Sequence, residues 1–320
     1  MAQIASRFAS FWHWFGSDAR HGQIATLGSL LVYGMARLGF DISVTQALVT
    51  VGFAVAAQTV AEQVLAGRAV FGQAPAGRIA PGLKSALISS LSLCLLLRTD
   101  TLAMAGLAAV IAVGSKFVLR IGGKHVFNPT NVAIVLLMLV SNDVWVSPGQ
   151  WGSHAALAFL LASAGLLVVY RATRADVTLA FIVCWTGLLA ARSLSLNEPL
   201  TIPLHRLESG AFLLFSFFMI SDPKTTPDTR AGRILFAAIV AVGAAYVQFK
   251  LFRTNGFVWA LACASPLVPM LDRLLPGRAY SWASLPAPTP DRPTHPSSTG
   301  MPIGAFAFDR SVHHVHGGSR

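Results

Sequence analysis

The chain has 320 residues, of which 54% are hydrophobic and only 12% charged, with a mean hydropathy of +0.61. Soluble domains average about 25% charged residues. Charge this sparse, set between apolar blocks of roughly 17–23 residues, excludes an ordinary soluble domain and points to an all-α polytopic membrane protein. The net charge of +11 is scattered between the blocks rather than gathered in one basic region, which argues against nucleic acid as a partner and for membrane lipids.

In chain order, residues 1–22 read as an interfacial segment in which Phe8, Phe11, Trp12, Trp14 and Phe15 alternate with polar residues. They hold no apolar stretch closed by a small-residue cleavage site, so no cleavable signal peptide is expected. Residues 23–273 then form a transmembrane domain of about ten helices. The predicted spans are 24–40, 44–66, 83–98, 101–120, 129–146, 154–171, 176–192, 207–221, 233–251 and 256–272. The third, fifth and eighth are expected to be broken or half-crossing. With both termini cytoplasmic, eighteen of the 24 basic residues fall on the cytoplasmic side. Cys94, Cys184 and Cys263 lie far apart in apolar spans and form no cluster-binding pattern. Residues 274–320, rich in Pro and Ser and carrying His313, His314 and His316, read as a disordered tail, with no metal site expected.

Two polar, proline-centred segments interrupt the apolar pattern. In a bilayer such backbone must be buried in protein or line a wet cavity. In the first, Gly122 and Gly123 permit unusual backbone angles, Asn128 is a candidate N-cap, and Pro129 suits a helix start. Thr130 and Asn131 follow in the first turn, and Lys124 and His125 add charge or hydrogen bonds beside a helix N-terminus suited to an anion. A plain capped turn is the alternative. The second segment packs Asp222, Lys224, Thr225, Thr226, Asp228, Thr229, Arg230 and Arg233 around Pro223 and Pro227, with Asp228 or Thr229 as a candidate cap. Its alternative is a cytoplasmic loop that serves topology, with weak internal ion pairs.

Ser221-Asp-Pro-Lys-Thr-Thr-Pro227 followed by Arg230-Ala-Gly-Arg-Ile-Leu-Phe236 resembles a signature of the membrane subunits RnfD and NqrB, of the Rnf and sodium-pumping NADH:quinone oxidoreductase complexes. Phe127-Asn-Pro129 after its Gly-rich turn, Ala264-Ser-Pro-Leu-Val-Pro-Met-Leu-Asp272 and, more loosely, Asp18-Ala-Arg-His-Gly-Gln23 resemble further family motifs. The chain looks like a shortened RnfD-like member. The resemblance implies ten helices in two inverted five-helix halves, similar to urea-transporter-like folds, in a bacterial inner membrane.

It also implies flavin. Family members attach FMN to the threonine of an S-G-A-T-type motif, but the corresponding stretch here, Ser141 to His154, contains no threonine, and Ser209-Gly-Ala211 runs on into Phe212. Covalent FMN is therefore not expected, and FMN or riboflavin would be held noncovalently. The candidate cofactor residues are Lys124, Asn128, Pro129, Thr130, Asn131, Asp222, Thr225, Thr226 and Arg230. Other membrane redox subunits, and a quinone, are the implied partners, with coupling to ion transport. A small-solute channel of urea-transporter-like fold, or a membrane anchor for a complex, is the alternative. Glu62 and Gln58 stack at i, i+4 as weaker candidates for ion or proton passage, and Lys116, Arg120, Arg37 and Arg192 are expected to snorkel. Trp145 and Trp151 read as an interfacial belt.

Overall fold

The computed structural model describes residues 18–70, 81–147 and 155–280. The expected interfacial segment up to residue 17, Trp151, His154 and the tail from 281 onward lie outside the described residues.

Apolar helices dominate. They are α1 (Ala19–Arg37), α2 (Val44–Val70), α3 (Pro81–Leu96), α4 (Leu102–Val118), α5 (Pro129–Val140), α6 (Ala155–Arg171), α7 (Ala175–Ser195), the short α8 (Thr201–Leu207), α9 (Gly210–Leu214), α10 (Arg230–Phe249), α11 (Gly256–Ala264) and α12 (Val268–Leu274). Helix α9 widens into a π-helical turn over Phe215–Met219. A 3₁₀ turn at Ser265–Leu267 separates α11 from α12, because Pro266 has no N–H to continue the helix. Among the described residues, four helical stretches are long and apolar enough to cross a bilayer: Val44–Ala66, Ala175–Ser195, Arg230–Phe249 and Gly256–Leu274. Helices α3, α4, α5, α6 and α9 with its π turn supply shorter apolar segments. The protein is a multi-pass, all-α membrane protein.

Two predicted spans end early. The fifth, 129–146, is helical only to Val140, a 12-residue helix of about 18 Å against a hydrocarbon core of about 30 Å. Beyond it, β4 (Val144–Val146) pairs antiparallel with β1 (Leu97–Thr99), which in turn ends the third span at Leu96. The β-branched and aromatic Val144-Trp145-Val146 suits an extended ladder better than another helical turn. Arg98 pairs with Trp145 in this ladder and is buried, with Nη1 donating to the carbonyls of Cys94 (3.0 Å) and Leu97 (2.9 Å) at the α3 C-terminus. Arg192, rather than simply snorkelling, pairs with Glu198 at 2.9 Å and lies over the Phe249 ring.

Packing follows the chain. Helix α2 packs on α3 and α4, α4 on α5, α7 on α10, and α10 on α11. The α1–α6 and α5–α11 contacts join the part before residue 147 to the part after 155. An aromatic core of Phe181, Trp185, Phe215 and Phe257 fills the later part, with Phe215 and Phe257 ring centroids 4.9 Å apart. Gly165 lets α6 approach the π turn so closely that a Cβ there would meet the Phe217 ring.

Candidate functional site

The first polar segment folds as a hairpin that leads into a capped helix. Strands β2 (Arg120–Ile121) and β3 (Lys124–His125) are joined by Gly122 and Gly123, with φ of 58° and 80°. A two-residue turn with positive φ at both positions is the tight connection that glycine permits without strain. Asn128 then caps α5, its side chain accepting from the Asn131 N–H at 3.0 Å, and Pro129 occupies the first turn.

The second segment is wound around Asp222. Its Oδ1 accepts from the Lys224 N–H (3.0 Å), and its carbonyl accepts from the Thr225 N–H (3.1 Å) and the Thr225 and Thr226 hydroxyls (3.3 and 3.1 Å). Thr229 caps α10 by accepting from the Gly232 N–H at 3.1 Å. The π turn before Asp222 is supported by hydroxyls: Ser216 donates to the Phe212 carbonyl (2.8 Å) and Thr178 to the Ser216 carbonyl (2.8 Å).

The fold brings the two segments together. Asn128 Nδ2 donates to the Met219 carbonyl (3.3 Å) and to Asp222 Oδ2 (3.4 Å). Lys124 Nζ donates to the Thr226 carbonyl (2.7 Å), Asp228 Oδ1 (3.0 Å) and Asp272 Oδ2 (2.7 Å). Asp272 also accepts from the Asp228 N–H at 2.8 Å. Arg233 clamps Asp176 with two contacts of 2.9 Å and one of 2.5 Å, and donates to the Asp228 carbonyl. Arg174, buried, donates to the Thr226 hydroxyl at 3.1 Å and lies 4.8 Å from the Tyr280 ring centroid. These contacts form a lock that ties the hairpin to α7, α10 and α12.

Beside the lock lies a cavity of about 320 Å³, within the size range of small-molecule sites. Its wall takes Arg20 and Gln23 from α1, Gln58 and Glu62 from α2, Ser85, Ser89 and Ser92 from α3, and Lys116 from α4. His125, Asn128, Pro129 and Thr130 close one side, and Phe217, Phe218, Ser221, Asp222 and Lys224 another. Of the residues proposed from sequence, Asn128, Pro129, Thr130 and Asp222 line this cavity. Lys124 and Thr226 instead belong to the lock, Thr225 is held in the Asp222 turn, and Arg230 is exposed on the first turn of α10. Asn131, next along α5, is fully buried, and both its Nδ2 and Oδ1 lack hydrogen-bond partners among the described residues.

Lys116 was hidden from sequence reasoning. Expected to snorkel, it is instead 4% exposed, with Nζ donating to the Ser85 carbonyl and hydroxyl at 3.0 Å each. Its turn on α4 faces α3, and only the packing of those helices reveals it. Glu62 and Gln58 pair as expected, Gln58 Nε2 donating to Glu62 Oε1 at 2.9 Å, but at the cavity wall, where Gln58 Oε1 has no partner among the described residues. Gly82 makes room for this pair, since a Cβ there would run into both side chains.

Burial lowers the His125 pKa, with Asp222 opposing the shift and Arg120 and Lys116 adding to it. Burial likewise lowers that of Lys224. At Asp18, the α1 cap, burial favours the neutral acid, but hydrogen bonds from Arg20 and Lys84 outweigh it and hold the carboxyl below its usual range. Ser209 caps α9, its hydroxyl accepting from the Phe212 N–H at 3.5 Å, so the Ser209-Gly-Ala211 sequence has a structural use in this chain.

Residues 140–281 match the model of the NQR2, RnfD, RnfE family. The chain is 32% identical over 174 residues to an ion-translocating oxidoreductase complex subunit of Stutzerimonas stutzeri, covering 53% of this chain and 44% of that one. It is 27% identical over 136 residues to the like-named protein of Yersinia pseudotuberculosis serotype O:1b (42% and 37%) and 30% identical over 139 residues to that of Escherichia coli O139:H28 (43% and 35%). The chain thus spans less than half the length of these curated relatives. The matched region contains the Asp222 segment, the lock residues Arg174, Asp176, Asp228, Arg233 and Asp272, and the Ser221–Lys224 side of the cavity; across it the chain is similar to the NQR2, RnfD, RnfE family.

Proposed function

We propose that the protein is a flavin-holding membrane subunit of an Rnf/NQR-like electron-transport complex. The observation that carries this reading is the polar cavity at the junction of the two segments, whose wall holds Gln58 Oε1 and His125 Nδ1 without a hydrogen-bond partner among the described residues, with the Asn131 amide one residue beyond Thr130 of that wall. A buried donor and acceptor left unmade cost about 1–3 kcal/mol each, a cost that a ligand with a complementary edge relieves. The pyrimidine edge of a flavin, with alternating carbonyl and N–H groups, is complementary to a side-chain amide.

Asn128, Thr130, Asn131 and Asp222 would hold and orient the ring, Lys116 would supply positive charge, and Phe217 and Phe218 would cover apolar ring surface. A bound flavin supplies electron acceptance and release. The chain's own part is binding, orientation and exclusion of water. The stretch 141–154 carries no threonine, so the flavin is held noncovalently as FMN or riboflavin. Ten crossings in two inverted five-helix halves fit the order of apolar helices, and the basic residues favour an inner-membrane protein with both termini cytoplasmic. Other membrane redox subunits, with a quinone as acceptor, complete the path of electrons, and ion transport is coupled to it.

The test is purification from native membranes, with a visible spectrum and identification of copurifying proteins. Bound flavin that survives in folded protein but is released by denaturant, together with Rnf-like partners, is the expected result. A colourless protein that moves a small solute in liposomes overturns the reading. Asp222→Ala should leave membrane insertion intact and lower electron transfer through the assembly.

A further inference from the structure

Lys116 differs from the other lysines of this polar layer in what surrounds it. Lys84 pairs with Asp18, Lys124 with Asp228 and Asp272, and Lys224 Nζ donates to the Tyr280 carbonyl. Lys116 is 4% exposed, and among the described residues no carboxylate lies within 4 Å of it. Two of its three N–H groups go to Ser85, and the third has no acceptor among the described residues. The two carboxylates in the cavity wall are engaged elsewhere, Glu62 by Gln58 and Asp222 by Asn128 and the Lys224 N–H. Of the wall's cations, Arg20 is paired with Asp18 at 2.7 Å and Lys224 is held by the Tyr280 carbonyl, whereas Lys116 has no ion pair within 4 Å among the described residues; His125 is the remaining titratable group of the wall. Glu62 and Asp222 act on this ammonium only from beyond 4 Å, and a buried cation without a direct ion pair is stabilised by negative charge that arrives beside it.

Resting on the flavin reading above, we propose that Lys116 is the positioning charge for the reduced ring, so that reduction in this cavity takes up two electrons and one proton. The oxidised ring is neutral. Two electrons from a reductant, a reduced redox partner in the cell or dithionite in the assay, and one proton from solvent at N5 yield a ring with a single negative charge spread over N1 and the C2 carbonyl. The second proton, which would neutralise N1, stays in solvent, because the ammonium already compensates that charge in a site of low dielectric. The reduced ring is therefore bound more tightly than the oxidised one, and its potential rises.

The experiment is a reductive titration of the intact purified complex, with mediator dyes and visible absorbance as the readout. It is run on the acid side of neutral, where free reduced flavin carries both protons. The bound flavin of the wild type is expected to show a one-proton dependence of potential on pH, half as steep as that of free flavin. Lys116→Met should keep its flavin, measured as absorbance per protein, yet take the two-proton slope. Its ratio of reduced to oxidised ring at fixed potential should fall about tenfold, the effect of one unit of pKa. Lys116→Arg should keep the one-proton slope. A flavin-loaded wild type with a two-proton slope, or an unchanged slope in Lys116→Met, overturns the role of Lys116 and leaves the flavin reading standing. A wild type without flavin overturns both. Should Lys116→Met fail to fold, Lys116→Gln is read in the same way.

Discussion

Lys116 and Lys124 lie on one short stretch of chain and have opposite fates. Lys124 has three oxygen acceptors within 3.0 Å, two of them carboxylates from more than 100 residues away. Among the described residues Lys116 hydrogen-bonds only Ser85, with Glu62 and Asp222 acting on it from beyond 4 Å, and the space beyond it is a cavity. A directly paired buried charge holds a fold together, whereas one without a direct ion pair beside a cavity marks a place where a ligand completes the structure. The lock and the cavity are built from the same residue types and differ in whether the protein itself supplies the partners.

Breaking the lock should have the largest effect. Asp272→Ala strands Lys124 and the Asp228 N–H, and should cost about 3–5 kcal/mol, read as a lowered unfolding temperature in detergent. Full stability in this variant would mean that the lock is not what holds the hairpin to α12. Next to Thr130 of the cavity wall, Asn131→Leu removes an amide with no partner among the described residues and should cost little or no stability. It should nevertheless weaken flavin retention by about 1–3 kcal/mol, or roughly 10- to 100-fold in dissociation constant, measured by flavin release on dilution. Loss of stability without loss of flavin would move Asn131 to the structural side of the comparison.

Smaller effects test the supports. Gly122→Ala places a side chain at φ 58° in the hairpin turn and should cost about 1 kcal/mol, with no change in bound flavin. The smallest effect is that of pH on His125. Its folded pKa is lowered, so the unfolded chain binds the proton first as pH falls. This contribution to stability is present above about pH 6.5 and is lost as pH falls from there through the folded value, a loss that His125→Gln should remove from the pH profile of thermal unfolding.

Local features were legible where local chemistry decides them. Asn128 and Thr229 as helix caps, Pro129 in the first turn, and Gly122-Gly123 as a turn follow from short-range backbone needs. So did the shortness of the fifth apolar helix. The joining of the two segments was not legible, because Lys124–Asp272 and Asn128–Asp222 link positions about a hundred residues or more apart, and no pattern along one chain announces such pairs. The same holds for Arg174 and Arg233, whose charges read as topology signals and serve instead to hold Thr226 and Asp176.

The sequence by itself determined a multi-pass helical membrane protein, its RnfD-like signature around Asp222, and the two polar interruptions where lipid could not satisfy the backbone. Only the tertiary structure decided which charges lock the fold and which face the cavity. Burial and pairing of a side chain depend on neighbours that packing brings from distant helices, whereas hydropathy, caps and turns are set by the residues beside them.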